Sequence, residues 1–261
     1  LATAGCYQVP VTGRRALNLV DEKEVTKMSI AMFDGMKKQY RVSRDRDRLA
    51  QLKRVGDRIQ NTISIWDMPD ADWEFVLFDV PNQINAFAMA GGKVGVFTGL
   101  FKIVKTDDQL ASVIAHEISH VIAKHIHEKL SRELAVNTIG TVGMIGAGVG
   151  GVGGLTTQAL GQVYGITSDM RGLAFDRRKE KEADLMGGRY MARAGYDPQE
   201  AVNVLEALEA ESASEPARSS FESTHPSNPE RMVQLIDAMP KAVEARAKAL
   251  NPSTAAPPIL R

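Results

Sequence analysis

The chain is predicted to fold as a mainly helical α+β domain in which a small antiparallel sheet covers one long helix. Three observations carry this. Apolar residues recur at helical spacing through "DEKEVTKMSIAMFDGMKKQY" (21–40), "DRDRLAQLKRVGDRI" (45–59) and "TDDQLASVIAHEISHVIAKHIHEKLSREL" (106–134). Between them, β-branched and aromatic residues gather in "WEFVLFDV" (73–80), "NAFAMA" (85–90) and "KVGVFTG" (93–99), the last two separated by Gly91-Gly92. The 261 residues are 44% hydrophobic, enough to fill one core.

Taken in order, residues 1–20 read as a linker and residues 21–250 as one domain, with a helical N-terminal part (21–65) and a core (73–235). The methionines of the first two helices read as core residues, and Trp66 and Trp73 as packing residues. The helix from Thr106 opens with a capping box, Thr106 with Gln109 three later, and places Asp107 and Asp108 at the positive end of its dipole. No residue from Leu134 to Ser168 is charged, and "GTVGMIGAGVGGVGG" within it is too rich in glycine for a stable helix. That stretch reads as a mobile loop or a surface lying on lipid or on a partner. Helical periodicity returns in "DRRKEKEADLMGGRYMARAGYDPQE" and stops at Gly195, with Asp197-Pro198 opening the next helix. In "HPSNPERMVQLIDAMPKAV" Asn228 reads as the cap and Pro229 as the first helical residue, and residues 251–261 as a flexible tail.

Thirty-two acidic residues balance 32 basic ones, so no net field points to nucleic acid, and none is expected as a partner. Cys6 is the single cysteine, which excludes internal disulfides and cysteine-based zinc sites. Its setting, "LATAGC", resembles the end of a bacterial lipoprotein signal, so an acylated Cys6 and membrane attachment through it are expected.

The chemistry lies in "HEISH". A step of four residues in an α-helix turns a side chain by about 40° and rises about 6 Å, so His116 and His120 share one face and can hold one metal ion. Hydrolysis needs three protein ligands, an open position and a carboxylate to take a proton from the attacking water; Glu117, beside the two histidines, supplies that base. His125 and His127 continue the same helix, nine and eleven residues past His116, too far along the axis to share its metal, and read as structural or capping residues. The third ligand falls among the acids of "DRRKEKEAD". Glu180 and Asp184 are one turn apart on one face, Asp176 and Glu180 satisfy the same spacing, and Glu182 points nearly opposite. One acid of such a pair would bind the metal and the other would hold a ligating histidine by its second ring nitrogen.

"HEISHVIAKH", then "RRKEKEADLMG" some sixty residues later, then "STHPSNPER", resemble the HtpX, Oma-type and CAAX-prenyl-protease family of zinc metallopeptidases, which belong to the gluzincins. The resemblance runs from about Trp73 to Arg231, roughly 60% of the chain, and is closest to soluble or lipoprotein bacterial members. It implies one Zn2+ per chain held by His116, His120 and Glu180, with Glu117 as base and Asp184 as partner of His116. It also implies that His225 faces the cleft, either donating to the oxyanion or closing the open position on zinc, and that Arg231 anchors its loop through a carboxylate such as Asp184. An extended substrate would pair with the strand from Asn85 through Ala86 and Phe87 to Ala88. The expected function is an endopeptidase acting on unfolded or misassembled proteins, facing the periplasm of a bacterial envelope. The other reading is a zinc-binding, chaperone-like module shut by His225.

Overall fold

The computed structural model describes residues 5–63, 67, 71–132, 176–214, 221, 225 and 229–251. The expectations for residues 134–168, for the tail beyond residue 251, for Trp66 and for Asn228 fall outside these residues. Among the described residues no helix is long and apolar enough to cross a membrane.

Where a linker was expected, β1 (Cys6–Gln8) and β2 (Arg15–Leu17) form an antiparallel hairpin, Cys6 opposite Leu17 and Gln8 opposite Arg15. Three-residue strands are too short to show an alternating pattern in sequence, yet this hairpin is anchored: Val9 and Ala16 are buried in the main core, and the Tyr7 hydroxyl donates to Ile122 O at 2.8 Å. Cys6 is an exposed free thiol on β1.

Helices α1 (Glu22–Gln39) and α2 (Arg46–Ile63) follow, each on its predicted segment. Asp21 caps α1 by accepting from Glu24 N. Strands β3 (Glu74–Phe78), β4 (Ala86–Met89) and β5 (Lys93–Phe97) form the sheet in the order β3-β5-β4. The sheet is mixed rather than antiparallel. β4 and β5 pair antiparallel around Gly91 and Gly92, both at positive φ, whereas β3 and β5 run parallel. Inward and outward residues alternate identically in parallel and antiparallel strands, so the direction is not written in the pattern.

That alternation builds two layers. Phe78, Phe97 and Met89 face α1 with Phe33 and Met36, and Phe87 and Tyr40 pack at the margin of the same cluster. Leu77, Val94, Val96, Ala86 and Ala88 face α2 and α3 (Asp107–Ile122), where they meet Leu52, Val55, Ile59 and Ile114. Trp73 stacks on Phe75 at 6.5 Å between ring centroids.

A short 3-10 turn (Thr98–Lys102) leads into α3, whose cap Thr106 accepts from Gln109 N at 3.2 Å while the Gln109 side chain reaches back to Lys105 N. Every residue of α3 from Leu110 to Ile122 is buried. The helix does not continue as expected. It ends at Ile122, Lys124 takes a left-handed φ of 53°, and helical geometry resumes at residues 125–132. Helix α4 (Arg177–Arg193), capped by Asp176, crosses α3 so closely at Gly187 that a Cβ there would lie 2.9 Å from His116 N. Gly195, at φ 83°, ends the run, and α5 (Gln199–Ser214) and α6 (Pro229–Leu250) complete the described chain.

Candidate metal centre

Two helices bring the site together. α3 presents His116, Glu117 and His120, and the close crossing at Gly187 sets α4 so that Glu180 faces both rings, with His225 completing the cluster. His116 Nε2 lies 3.1 Å from His120 Nε2 and 3.4 Å from Glu180 Oε2, and His120 Nε2 lies 3.5 Å from Glu180 Oε1. His225 Nδ1 stands 3.3 Å from His116 Nε2 and 3.2 Å from Glu180 Oε1. His116, His120, Glu180 and His225 are all buried, and their ligand atoms lie within 4.8 Å of one another.

These residues fit zinc. Donor atoms about 2.0 to 2.1 Å from a tetrahedral ion stand about 3.3 Å apart, and the spacings here are of that size. The chemistry agrees: three imidazoles and a carboxylate are the nitrogen and oxygen donors zinc takes. Glu180 Oε2 is buried with the Arg231 guanidinium 3.2 Å away but without a well-directed hydrogen bond among the described residues, so it keeps lone pairs to offer a metal ion.

The electrostatics follow from burial and neighbours. Burial works against charge on the His116 ring, but its bond to Asp184 Oδ1 at 2.9 Å and the adjacent Glu180 outweigh it and raise the pKa to about 10. A divalent cation bound there would release that proton. Burial keeps His120 well below the ordinary histidine value. It pushes Glu180 upward too, but His225 and His120 hold that carboxyl well below its usual range. Glu117 is pushed up by burial, an effect that His225 and His116 only partly offset. His225 Nε2 lies 3.3 Å from Glu117 Oε1.

Arg231, in the first turn of α6, donates from Nε and Nη2 to Asp184 at 2.7 and 2.8 Å, from Nη1 to His225 O at 3.2 Å, and lies 3.2 Å from Glu180. It is only 2% exposed. Among the acids left open by spacing, Asp176 is the cap of α4, and Glu182 faces the N-terminal hairpin. Strand β4 is an outer strand of its sheet; Asn85 is buried just before it, Ala86 and Ala88 pack inward, and the Phe87 ring lies against Phe33 and Phe97.

In sequence, His125 reads as a structural or capping residue and Glu182 points opposite Glu180; that His125 touches both Glu182 and His120 is not legible there. His125 Nδ1 lies 2.8 Å from His120 Nδ1, and His125 Nε2 lies 3.0 Å from Glu182 Oε2. Spacing excluded His125 only from sharing the metal of His116; the left-handed turn at Lys124 lies between His120 and His125 and lets the two rings meet. His125 and His127 contribute no ligand atom to the cluster.

The sequence profile described as Peptidase family M48 matches residues 48–238. The chain belongs to this family. As an M48 member it is 31% identical over 248 residues to the mitochondrial metalloendopeptidase OMA1 of Schizosaccharomyces pombe, covering 90% of this chain and 66% of that protein. It is 33% identical over 166 residues to mitochondrial metalloendopeptidase OMA1 of Arabidopsis thaliana, covering 64% and 31%. Over 130 residues it is 34% identical to the beta-barrel assembly-enhancing protease of Escherichia coli, covering 49% and 26%. The chain thus spans about two thirds of the first of these relatives and a third or less of the other two. The expected bacterial-envelope setting is overturned, because the relatives matched over most of this M48 chain, in fission yeast and in Bos taurus, are named as mitochondrial proteins. Acylation of Cys6 gains no support from these comparisons.

Proposed function

We propose that this M48 chain is a zinc-dependent endopeptidase that cleaves extended segments of unfolded or misassembled proteins. The observation that carries the reading is the convergence of His116, His120 and Glu180, with the buried Glu117 carboxyl beside them. These three residues would hold one Zn2+ per chain, which would supply a Lewis acid for the scissile carbonyl and make the attacking water more acidic. Glu117, its affinity for protons raised by burial, would accept a proton from that water and pass it to the leaving nitrogen. Asp184 would keep the His116 ring oriented, and Arg231 would keep Asp184 charged and in place. A substrate strand would align on β4 between Asn85 and Ala88, where backbone hydrogen bonds select extended conformation over side-chain identity. That selectivity suits action on chains that are not yet folded or assembled, and the Escherichia coli relative is named as an assembly-enhancing protease.

One observation favours a second reading. His225 Nδ1 stands where a fourth ligand would stand, which would make this conformation the closed form of the site. Opening would move His225 away from zinc and leave its ring to donate to the oxyanion.

Unfolded casein distinguishes the readings. Wild type carrying about one zinc should cleave it, and Glu117→Gln should retain the metal while losing on the order of 10²- to 10⁴-fold in rate. Zinc-loaded wild type that cleaves nothing, before or after His225→Ala, would leave only the binding module. His225→Ala is expected to change turnover at unchanged zinc content.

A further inference from the structure

The two histidines of α3 need opposite ends of their rings for two tasks: Nε2 toward the metal, Nδ1 toward something that fixes the tautomer. For His116 that partner is Asp184. For His120 the group seen beside Nδ1 among the described residues is a second histidine, His125, at 2.8 Å. Two imidazole nitrogens at that distance share one proton, so one of them must present a lone pair.

Glu182 settles which. Its Oε1 accepts from Thr12 Oγ1 at 2.6 Å and its Oε2 from Arg14 Nε at 2.7 Å, and both donors sit on the N-terminal hairpin. With donors on both oxygens the carboxylate acts as an acceptor only, so His125 Nε2, 3.0 Å from Oε2, carries the hydrogen of that contact. Neutral His125 then offers its lone pair at Nδ1. His120 must donate from its own Nδ1, and the lone pair of His120 is left on Nε2, facing His116 Nε2 and Glu180.

We infer that His125 and Glu182, held by Thr12 and Arg14 of the N-terminal hairpin, are positioning residues that set the tautomer of His120 for metal binding. The inference rests on the zinc site proposed above and adds to it a support that comes from outside the 48–238 family match. Arg14 also donates from Nη1 to Glu128 Oε2 at 2.9 Å, so the same guanidinium ties the hairpin to the helical stretch that carries His125. The hairpin therefore belongs to the metal centre, about a hundred residues away from it along the chain.

The test is zinc affinity of the full chain by chelator competition, with the tautomer of His120 read by nitrogen-15 NMR after the metal has been stripped. His125→Leu should weaken zinc on the order of 10- to 100-fold, and Arg14→Met should shift it in the same direction by less. His125→Asn, whose Oδ1 can stand in for Nδ1 as acceptor, should recover most of the loss. In wild type the His120 ring should carry its proton on Nδ1, and in His125→Leu on Nε2. Affinity in His125→Leu within twofold of wild type, or a wild-type His120 protonated on Nε2, overturns the inference. If His125→Leu fails to fold, Arg14→Met and the wild-type tautomer decide it. Wild type that binds zinc yet cleaves nothing would sink the peptidase reading and leave this one standing; unchanged affinity in the variants of an active wild type would do the reverse.

Discussion

Glu182 and Asp184 stand two residues apart on α4, and each holds one of the two α3 histidines, but they do so by different lengths of chain. Asp184 touches His116 directly and is gripped by the buried Arg231. Glu182 reaches His120 only through His125 and is gripped by the less buried Arg14. One helix thus offers both of its faces to the same site, the near face by contact and the far face by relay. Reach along a helix therefore limits direct ligation but not support, because a neighbouring ring can carry a hydrogen bond onward.

The largest effect should come from breaking the direct arm. Arg231→Met removes both bonds to Asp184 and leaves that carboxylate buried and short of partners, so a loss of about 3–5 kcal/mol is expected. Thermal unfolding in the presence of a chelator should show the midpoint falling by roughly 10 °C. An unchanged midpoint would mean that Arg231 serves only to hold the His225 carbonyl.

The two arms were unequally legible in sequence for a physical reason. Glu180 and Asp184 are one turn apart within a single unbroken helix, so spacing alone put them on one face. His125 and His120 are joined across a break at Lys124, and a left-handed lysine leaves no mark, since glycine or asparagine is the usual sign of such a turn. The sheet divides in the same way. Gly91-Gly92 announced the β4–β5 turn, whereas the parallel pairing of β3 with β5 depends on how residues 79–85 carry the chain past β5, which no local pattern encodes. The hairpin at residues 6–17 was hidden by strands too short to alternate, so Thr12 and Arg14 could not be assigned to the site in advance.

His127 is a buried histidine outside both arms. It lies two residues beyond His125, is 4% exposed, and its Nε2 has no hydrogen-bond partner among the described residues. Burial, reinforced by the charge of Lys124 and only partly opposed by Glu22, lowers its pKa to about 4. The sign follows from linkage: between about pH 4 and 6.5 the unfolded chain binds a proton at this position that the folded chain refuses, so folding stability is complete above 6.5 and declines as pH falls. The whole decline from this one group is roughly 3 kcal/mol. Urea unfolding of wild type and His127→Leu across this window should show the slope reduced by close to one proton in the variant. Parallel curves would assign the pH dependence to other groups.

Breaking the relay arm should cost least. Arg14→Met removes a charged donor from Glu182 and another from Glu128, but Glu182 keeps Thr12 and His125, and Glu128 keeps Arg132. Burial pushes Glu182 upward, yet its hydrogen bonds from His125 and Thr12, followed by Arg14, bring its pKa to about 2, so part of that stabilisation survives the loss of the arginine. A loss of about 1–3 kcal/mol is expected, a fraction of that for Arg231→Met, together with the weakened zinc binding that a merely structural role for the hairpin would not produce. Equal losses in the two variants would mean that the relay is as tightly coupled to the fold as the direct contact. A stability loss at unchanged zinc affinity would mean that the hairpin holds the domain but not the ligand.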